Sequence, residues 1–159
     1  MLLLYVVDNT VLSNFARIRR PDLLKLAVAP DALIPPAVRR ERDLGESLGV
    51  IPRLNWQWLP VATLDNVEQA RAEALRGWLD AGEAECLALA MNRNGVILTD
   101  DRAARRQATL RGVVMSGTLG VLSKLIRDGR LSLTEADEYL AAMIAQGFRS
   151  PVKSLKELR

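Results

Sequence analysis

Short apolar runs alternate with helical segments along this chain of 159 residues, which predicts an α/β domain whose mainly parallel sheet is covered by helices on both faces. The stretch from Asp80 to Arg106 shows the pattern best. There a helix opening on acidic residues, a turn, the apolar run Val96–Thr99 and the pair Asp100–Asp101 follow one another. An apolar run bounded by turn signals suits a strand buried on both faces of a parallel sheet. With 49% hydrophobic residues, a chain of this length can bury roughly 70% of its unfolded surface as one domain. Residues 1–159 contain no internal repeat, low-complexity linker or composition break, so a single domain is expected.

The elements follow in order. Leu2–Val7 reads as the first, central strand, with Asp8 at its end and Asn9 and Thr10 as turn or cap residues. Val11–Ile18 has Val11, Leu12, Phe15 and Ile18 spaced for one helical face, interrupted by the polar Asn14. Asp22–Val28 is a second helix and Ala32–Ile34 an edge or second strand. Proline suits the first helical position, so Pro35–Pro36 predicts a helix over Pro36–Leu48 that carries Glu41. Trp58–Val61 permits a short edge strand. Trp56 and Trp58 fit core packing, with base stacking as the alternative. Asp65–Leu79 is helical, placing Val67, Ala70, Ala74, Leu75, Trp78 and Leu79 mostly on one side. The next helix buries Cys86, Leu87, Leu89, Ala90 and Met91 and stops at Asn92–Gly95. Val113–Ser116 is a further strand, and Gly117, Thr118 and Gly120 turn the chain into a helix over Val121–Arg127. Thr134–Gln146 is the last helix, capped by Thr134 and Asp137, and a polar tail follows Gly147 and Pro151.

Composition excludes several chemistries. The chain has no histidine and one cysteine, so a Ser-His-Asp triad, a Cys-His pair and an imidazole zinc site are all impossible. Cys86 sits on an apolar helical face and reads as a small core residue. Met1–Val7 has no basic region before it and is broken by Asp8. It is too short for a signal peptide or a membrane span, and a cytoplasmic location is expected. The net charge of +3 is modest, yet 18 of the 22 basic residues are arginine, the side chain best suited to bidentate phosphate contacts.

Carboxylates must therefore carry any chemistry. Right-handed crossovers bring the carboxyl ends of all strands to one rim, where ligands of open α/β sheets collect. Asp8, Asp100 and Asp101 share that rim, and the helix beginning near Glu83 starts close to it. Asp8 alone could be a helix cap worth about 1 kcal/mol, and Glu41 alone a solvated charge. Two carboxylates about 4 Å apart repel by roughly 4 kcal/mol at an effective dielectric of 20, so a cluster of them needs a cation. An all-oxygen site suits Mg²⁺ or Mn²⁺, and such ions activate water for phosphodiester hydrolysis without a histidine base. Arg102, Arg105, Arg106 and Arg111 follow the acidic pair and suit the backbone of a nucleic acid.

Asp8-Asn9-Thr10, Glu41 after Pro35-Pro36, Gly82-Glu83-Ala84-Glu85 and Thr99-Asp100-Asp101 together resemble the ordered acidic motifs of PIN domains, metal-dependent nucleases common as VapC-type toxins. LDAGEAE, LTDDRAARRQA and GTLGVL are most similar to a bacterial and archaeal PIN-like branch marked by a GEAE motif. The resemblance covers nearly the whole chain. It implies a three-layer α/β/α fold, Mg²⁺- or Mn²⁺-dependent cleavage of single-stranded RNA, homodimers and, for the toxins, a small antitoxin partner. By motif, Asp8, Glu83 and Asp101 would be metal ligands. Asp100 would be a further ligand or a water-positioning neighbour, and Glu41 an acidic member from its helix. Thr10 matches a supporting hydroxyl, and Thr118 lies near the rim as a second. Many toxins have aspartate where Glu83 stands, and Asp80-x-x-Glu83 also fits a capping box.

One other reading is open to the sequence, and two more are disfavoured by it. A degenerate, non-catalytic PIN-like module would bind RNA or protein without cutting. A receiver domain needs its acidic pair after the first strand, where Asp8 is single. A haloacid-dehalogenase phosphatase needs a second aspartate where Thr10 stands.

Overall fold

The computed structural model describes residues 3–158; Leu2, where the first predicted strand begins, lies outside them. Four strands, β1 (Tyr5–Val7), β2 (Ala32–Leu33), β3 (Val96–Leu98) and β4 (Met115–Ser116), form one sheet in the order β2-β1-β3-β4. All pairings are parallel, with Tyr5 opposite Ala32 and Val96, and Ile97 opposite Met115. The helices are α1 (Asn9–Arg17), α2 (Pro21–Val28), α3 (Pro36–Ser47), α4 (Asn66–Leu75), α5 (Ala81–Arg93), α6 (Arg102–Leu110), α7 (Thr118–Arg127) and α8 (Leu133–Ala145).

Strand order decides which helices share a layer. The β1-to-β2 connection moves one way across the sheet, whereas β2-to-β3 and β3-to-β4 move the other. Right-handed crossovers therefore put α1 and α2 on one face and α3 to α6 on the opposite face. The chain then returns to the first face, where α7 packs on α2 and α8 on α1. This is the expected three-layer α/β/α fold. The chain leaves β1 toward one layer and the adjacent β3 toward the other, which opens a crevice at their carboxyl ends.

Helix α5 is the centre of its layer and packs on β1, β3, α3, α4 and α6. Its small residues Gly82, Ala84, Ala88 and Ala90 are buried along with Leu87 and Leu89, which lets the helix lie close to the sheet. Cys86 is fully buried there, donates weakly to the Val7 carbonyl and has its thiol pushed well above the ordinary range by burial. It is a core residue, as its spacing predicts.

Several elements differ from expectation. No strand forms at Trp58–Val61; only a bridge joins Val61 to Ile34, because Pro60 has no N–H to extend the ladder. Helix α4 ends at Leu75, and its inward face is Glu68, Ala72 and Leu75, with Leu79 buried beyond it. Val67, Ala70, Ala74 and Trp78 are exposed. The buried Glu68 turns this helix: Arg93 Nε reaches it from the surface, 2.8 Å from Oε2, and Asn92 donates to the same carboxylate at 3.0 Å. The last helix is capped by Ser132 and Glu135 rather than by Thr134 and Asp137. Asp137 instead accepts from Ser154 Oγ at 2.7 Å and Leu155 N at 2.8 Å, so the polar tail folds back and buries Leu155. Trp56 is buried and Trp58 partly so, with ring centroids 6.0 Å apart. Among the described residues no helix is long and apolar enough to cross a membrane.

Candidate active site

Asp8 occupies the N-cap position of α1, yet its side chain makes no capping hydrogen bond. It is 2% exposed, and its carboxylate turns into the crevice between β1 and β3. Thr10 Oγ1 and Thr99 Oγ1 each donate to Asp8 Oδ2 at 2.8 Å. Those hydroxyl oxygens are held in turn by backbone donors, Asp100 N to Thr10 Oγ1 at 2.9 Å and Asp101 N to Thr99 Oγ1 at 3.1 Å. The chain of donors points both hydroxyl protons at one oxygen of Asp8 and polarises them. Burial raises the Asp8 carboxyl above its ordinary range, and the two hydroxyls oppose that rise.

The adjacent acids diverge. Asp100 turns toward α7, accepting from Thr118 Oγ1 at 2.5 Å and Asn14 Nδ2 at 3.1 Å on Oδ2, and from Thr118 N at 2.9 Å on Oδ1. Gly117 makes this possible, since a Cβ there would collide with Asp100 Oδ1. Asn14 also donates to Thr118 Oγ1 at 3.0 Å, so α1, β3 and α7 meet on one polar knot. Asp101 instead caps α6 through Oδ2, which accepts from Ala104 N at 2.9 Å. Its Oδ1 accepts no hydrogen bond among the described residues.

Glu41 and Glu83 approach from the helices of the other layer. Glu83 forms the expected capping box with Asp80, donating its N–H to Asp80 Oδ1 at 2.9 Å and accepting from Asp80 N at 3.2 Å. The Glu41 carboxyl lies over Gly82, where an added Cβ would collide with Oε1 and stand 3.4 Å from Val38 Cγ2. Burial, with the charges of Asp80, Asp8 and Glu85, pushes Glu41 up to about 7. Burial also leads for Glu83, reinforced by Asp80, Asp101 and Asp8 and opposed by the Asp80 N–H, and pushes it up to about 8. Glu41 and Glu83 thus both sense the charge of Asp8, and Glu83 that of Asp101 as well. None of the four pairs with lysine or arginine among the described residues. Glu85 is separate: it accepts from Ala37 N at 3.0 Å, capping α3 where Pro35 cannot.

A family model described as PIN domain matches residues 4–159. The chain belongs to the PIN-domain family. No curated protein matches the chain. PIN domains are generally nucleases that use divalent metal ions, and the acidic crevice of this PIN domain has the donor chemistry such an ion requires. The donors are all carboxylate oxygens, and burial together with neighbouring carboxylates raises Glu41 and Glu83, so a bound cation would favour their charged forms. Among the described residues no three acidic side chains close into a ready cage. Mg²⁺ usually retains several waters, which can bridge it to carboxylates that do not touch one another, so a closed cage is not required.

Of the arginines after Asp101, Arg102 and Arg106 are exposed on α6. Arg105 is half-buried and donates to the Thr99 carbonyl at 3.0 Å, bracing the loop that carries both aspartates. Arg111 lies over the exposed Trp78 ring, 5.5 Å from its centroid. Sequence reasoning missed Asn14 and Thr99 as parts of this PIN site. A polar residue interrupting the apolar face of α1 was the signal for Asn14. For Thr99 there was only its place in the Thr-Asp-Asp motif.

Proposed function

We propose that this PIN domain is a metal-dependent endoribonuclease that hydrolyses RNA phosphodiester bonds. One observation carries the reading: Asp8 stands at a cap position without capping, is buried on two hydroxyls, and faces carboxylates that have no basic partner. Capping alone does not account for it. Asp8, Glu83 and Asp101 would hold Mg²⁺ or Mn²⁺, which when bound lowers the pKa of a coordinated water and neutralises charge on phosphate oxygens. Thr10 and Thr99 keep Asp8 Oδ2 oriented. Asp100, committed to Asn14 and Thr118, positions the loop that presents Asp101. Glu41, without a hydrogen-bond partner among the described residues, takes the proton from the attacking water at its carboxylate. Arg102 and Arg106 would meet the RNA backbone, while Arg105 braces the loop. A toxin role, with a small antitoxin partner and a homodimer, extends this reading from the family resemblance.

The test begins without substrate. Calorimetry should show Mn²⁺ binding to the wild type and its loss in folded Asp8→Asn and Asp101→Asn variants, followed by Mn²⁺-dependent cleavage in a broad RNA screen. A wild type that neither binds Mn²⁺ nor cuts any RNA in its presence would sink the proposal. One observation favours a second reading, a non-catalytic RNA- or protein-binding module: Glu83 and Asp101 both serve as helix caps and are explained structurally without metal.

A further inference from the structure

A pocket of about 310 Å³ opens beside Asp100, between α1 and the segment that leaves α8. Its wall on α1 is the stripe Asn9, Ser13 and Arg17, spaced four residues apart and so on one helical face, with the core-facing Leu12, Phe15 and Ala16 on the other. The opposite wall is Phe148 and Arg149, with Asp100 between the two walls. A helix terminus sets that second wall. Gly147 adopts φ +109°, a conformation suited to glycine, and Phe148 N donates to Met143 O at 3.0 Å, the six-to-one bond of a Schellman motif. Phe148 is partly buried against the core while also lining the pocket.

Asn9, Arg17 and Arg149 are the uncommitted polar groups here. Asn9 Oδ1 is buried without a hydrogen-bond partner among the described residues, and a buried amide oxygen normally has one. Arg17 and Arg149 form no ion pair among the described residues. Asp100 does not repel an anion as strongly as its charge suggests, since Asn14 and Thr118 already donate to it. An aromatic ring, a free amide and two unpaired guanidinium groups together suit a flat, hydrogen-bonding, anionic ligand. A nucleotide has all three properties.

We propose that this pocket is a nucleotide subsite, which seats the base of one single-stranded residue against Phe148, within reach of the Asn9 amide, and pairs its phosphate with Arg17 and Arg149. Its place in catalysis rests on the nuclease reading, because Thr10 and Asp100 link it to the acidic crevice. It selects the nucleotide next to the cleaved bond.

The probes are the four ribonucleoside 5′-monophosphates and inorganic phosphate, each titrated in EDTA so that no cleavage occurs. For the wild type, at least one nucleotide should bind more tightly than phosphate, with upfield ring-current shifts of its base protons in NMR. Phe148→Leu, which keeps apolar packing, should abolish those shifts and weaken that nucleotide roughly tenfold, as loss of one stacked base does. Should Phe148→Leu not fold, Arg149→Gln at an exposed position should weaken binding severalfold with an unchanged melting temperature. Nucleotides that bind no tighter than phosphate, or equally well to the folded variants, overturn the subsite. The nuclease reading fails separately. If nucleotides bind through Phe148 but no RNA is cut with any divalent metal, the subsite stands and the nuclease reading falls. If RNA is cut at the same positions and rate by wild type, Phe148→Leu and Arg149→Gln, the subsite falls and the nuclease stands.

Discussion

Two hydroxyls hold Asp8, and the one on Thr99 supports the site and the fold together. Thr99→Val removes a donor to Asp8 and the acceptor of the Asp101 N–H. It should lower stability by about 1–3 kcal/mol in urea unfolding, because two buried groups lose a partner. Thr99→Ser should restore most of that loss, and Mn²⁺ affinity should follow the same order. Glu83 poses a different question, since its capping hydrogen bond and its charge are separable. Glu83→Gln retains an acceptor for Asp80 N, so the melting temperature should hold while Mn²⁺ affinity falls about tenfold or more by calorimetry. Unchanged affinity would remove Glu83 from the ligand set and leave it a cap. Asp8 was legible as a site candidate because it interrupts the chain directly after an apolar run. The Thr99 hydroxyl was not, because its partner Asp8 is 91 residues away in sequence.

Gly82 shows how two helices share one site. It leaves room at the start of α5 for the Glu41 carboxyl of α3, and no unusual backbone angle requires glycine there. Gly82→Ala should therefore leave the melting temperature unchanged or slightly raised, since alanine is favoured over glycine by up to about 1 kcal/mol in a helix interior. The colliding group is the end of a flexible side chain, so Glu41 moves rather than the helix. Cleavage rate should fall with the fold intact, a combination that assays of activity and thermal melting would show together. Asp100→Ala should cost stability as well as cleavage. It strands Thr118 N and Asn14 and loosens the start of α7, costing about 1–3 kcal/mol in chemical denaturation. Elements with clear periodicity, α1, α3 and α5, were legible nearly to their ends. Helix α4 was misread for a physical reason: a fully buried Glu68 satisfied by Arg93 and Asn92 outweighs the preference of Val67 and Trp78 for burial.

Parallel strands followed or preceded by helices place the N-termini of α1, α3, α5, α6 and α7 at one rim, and their partial positive charges temper the acidic cluster without neutralising it. Stability should therefore depend on pH in a predictable direction. Glu41 and Glu83 titrate near 4.5 when unfolded but at about 7 and about 8 when folded, so the folded state holds protons that the unfolded chain releases. Their contribution is full below pH 4.5 and is lost as pH rises through 7 to 8. Glu68, lowered to about 2 chiefly by its hydrogen bonds from Arg93, acts oppositely, and its contribution is lost as pH falls from 4.5 through 2. The metal-free melting temperature should peak at about pH 5 and decline toward the alkaline side. Mn²⁺ should raise it most at the alkaline end, where Glu41 and Glu83 are ionised. A flat alkaline profile in differential scanning calorimetry would show that these carboxylates are better solvated than their burial suggests.

Local sequence determined the alternation of strands and helices, the absence of histidine chemistry, and the acids that end β1 and β3, because periodicity and composition are properties of neighbouring residues. Tertiary structure alone decided what those acids do. Asp100 and Asp101 are adjacent in the chain, yet one serves α7 and the other α6, while Asp8 at a cap position leaves its cap unmade for hydroxyls on α1 and just past β3. A carboxylate's role depends on which donors reach it and how much water is excluded, and both are set by segments far apart in sequence.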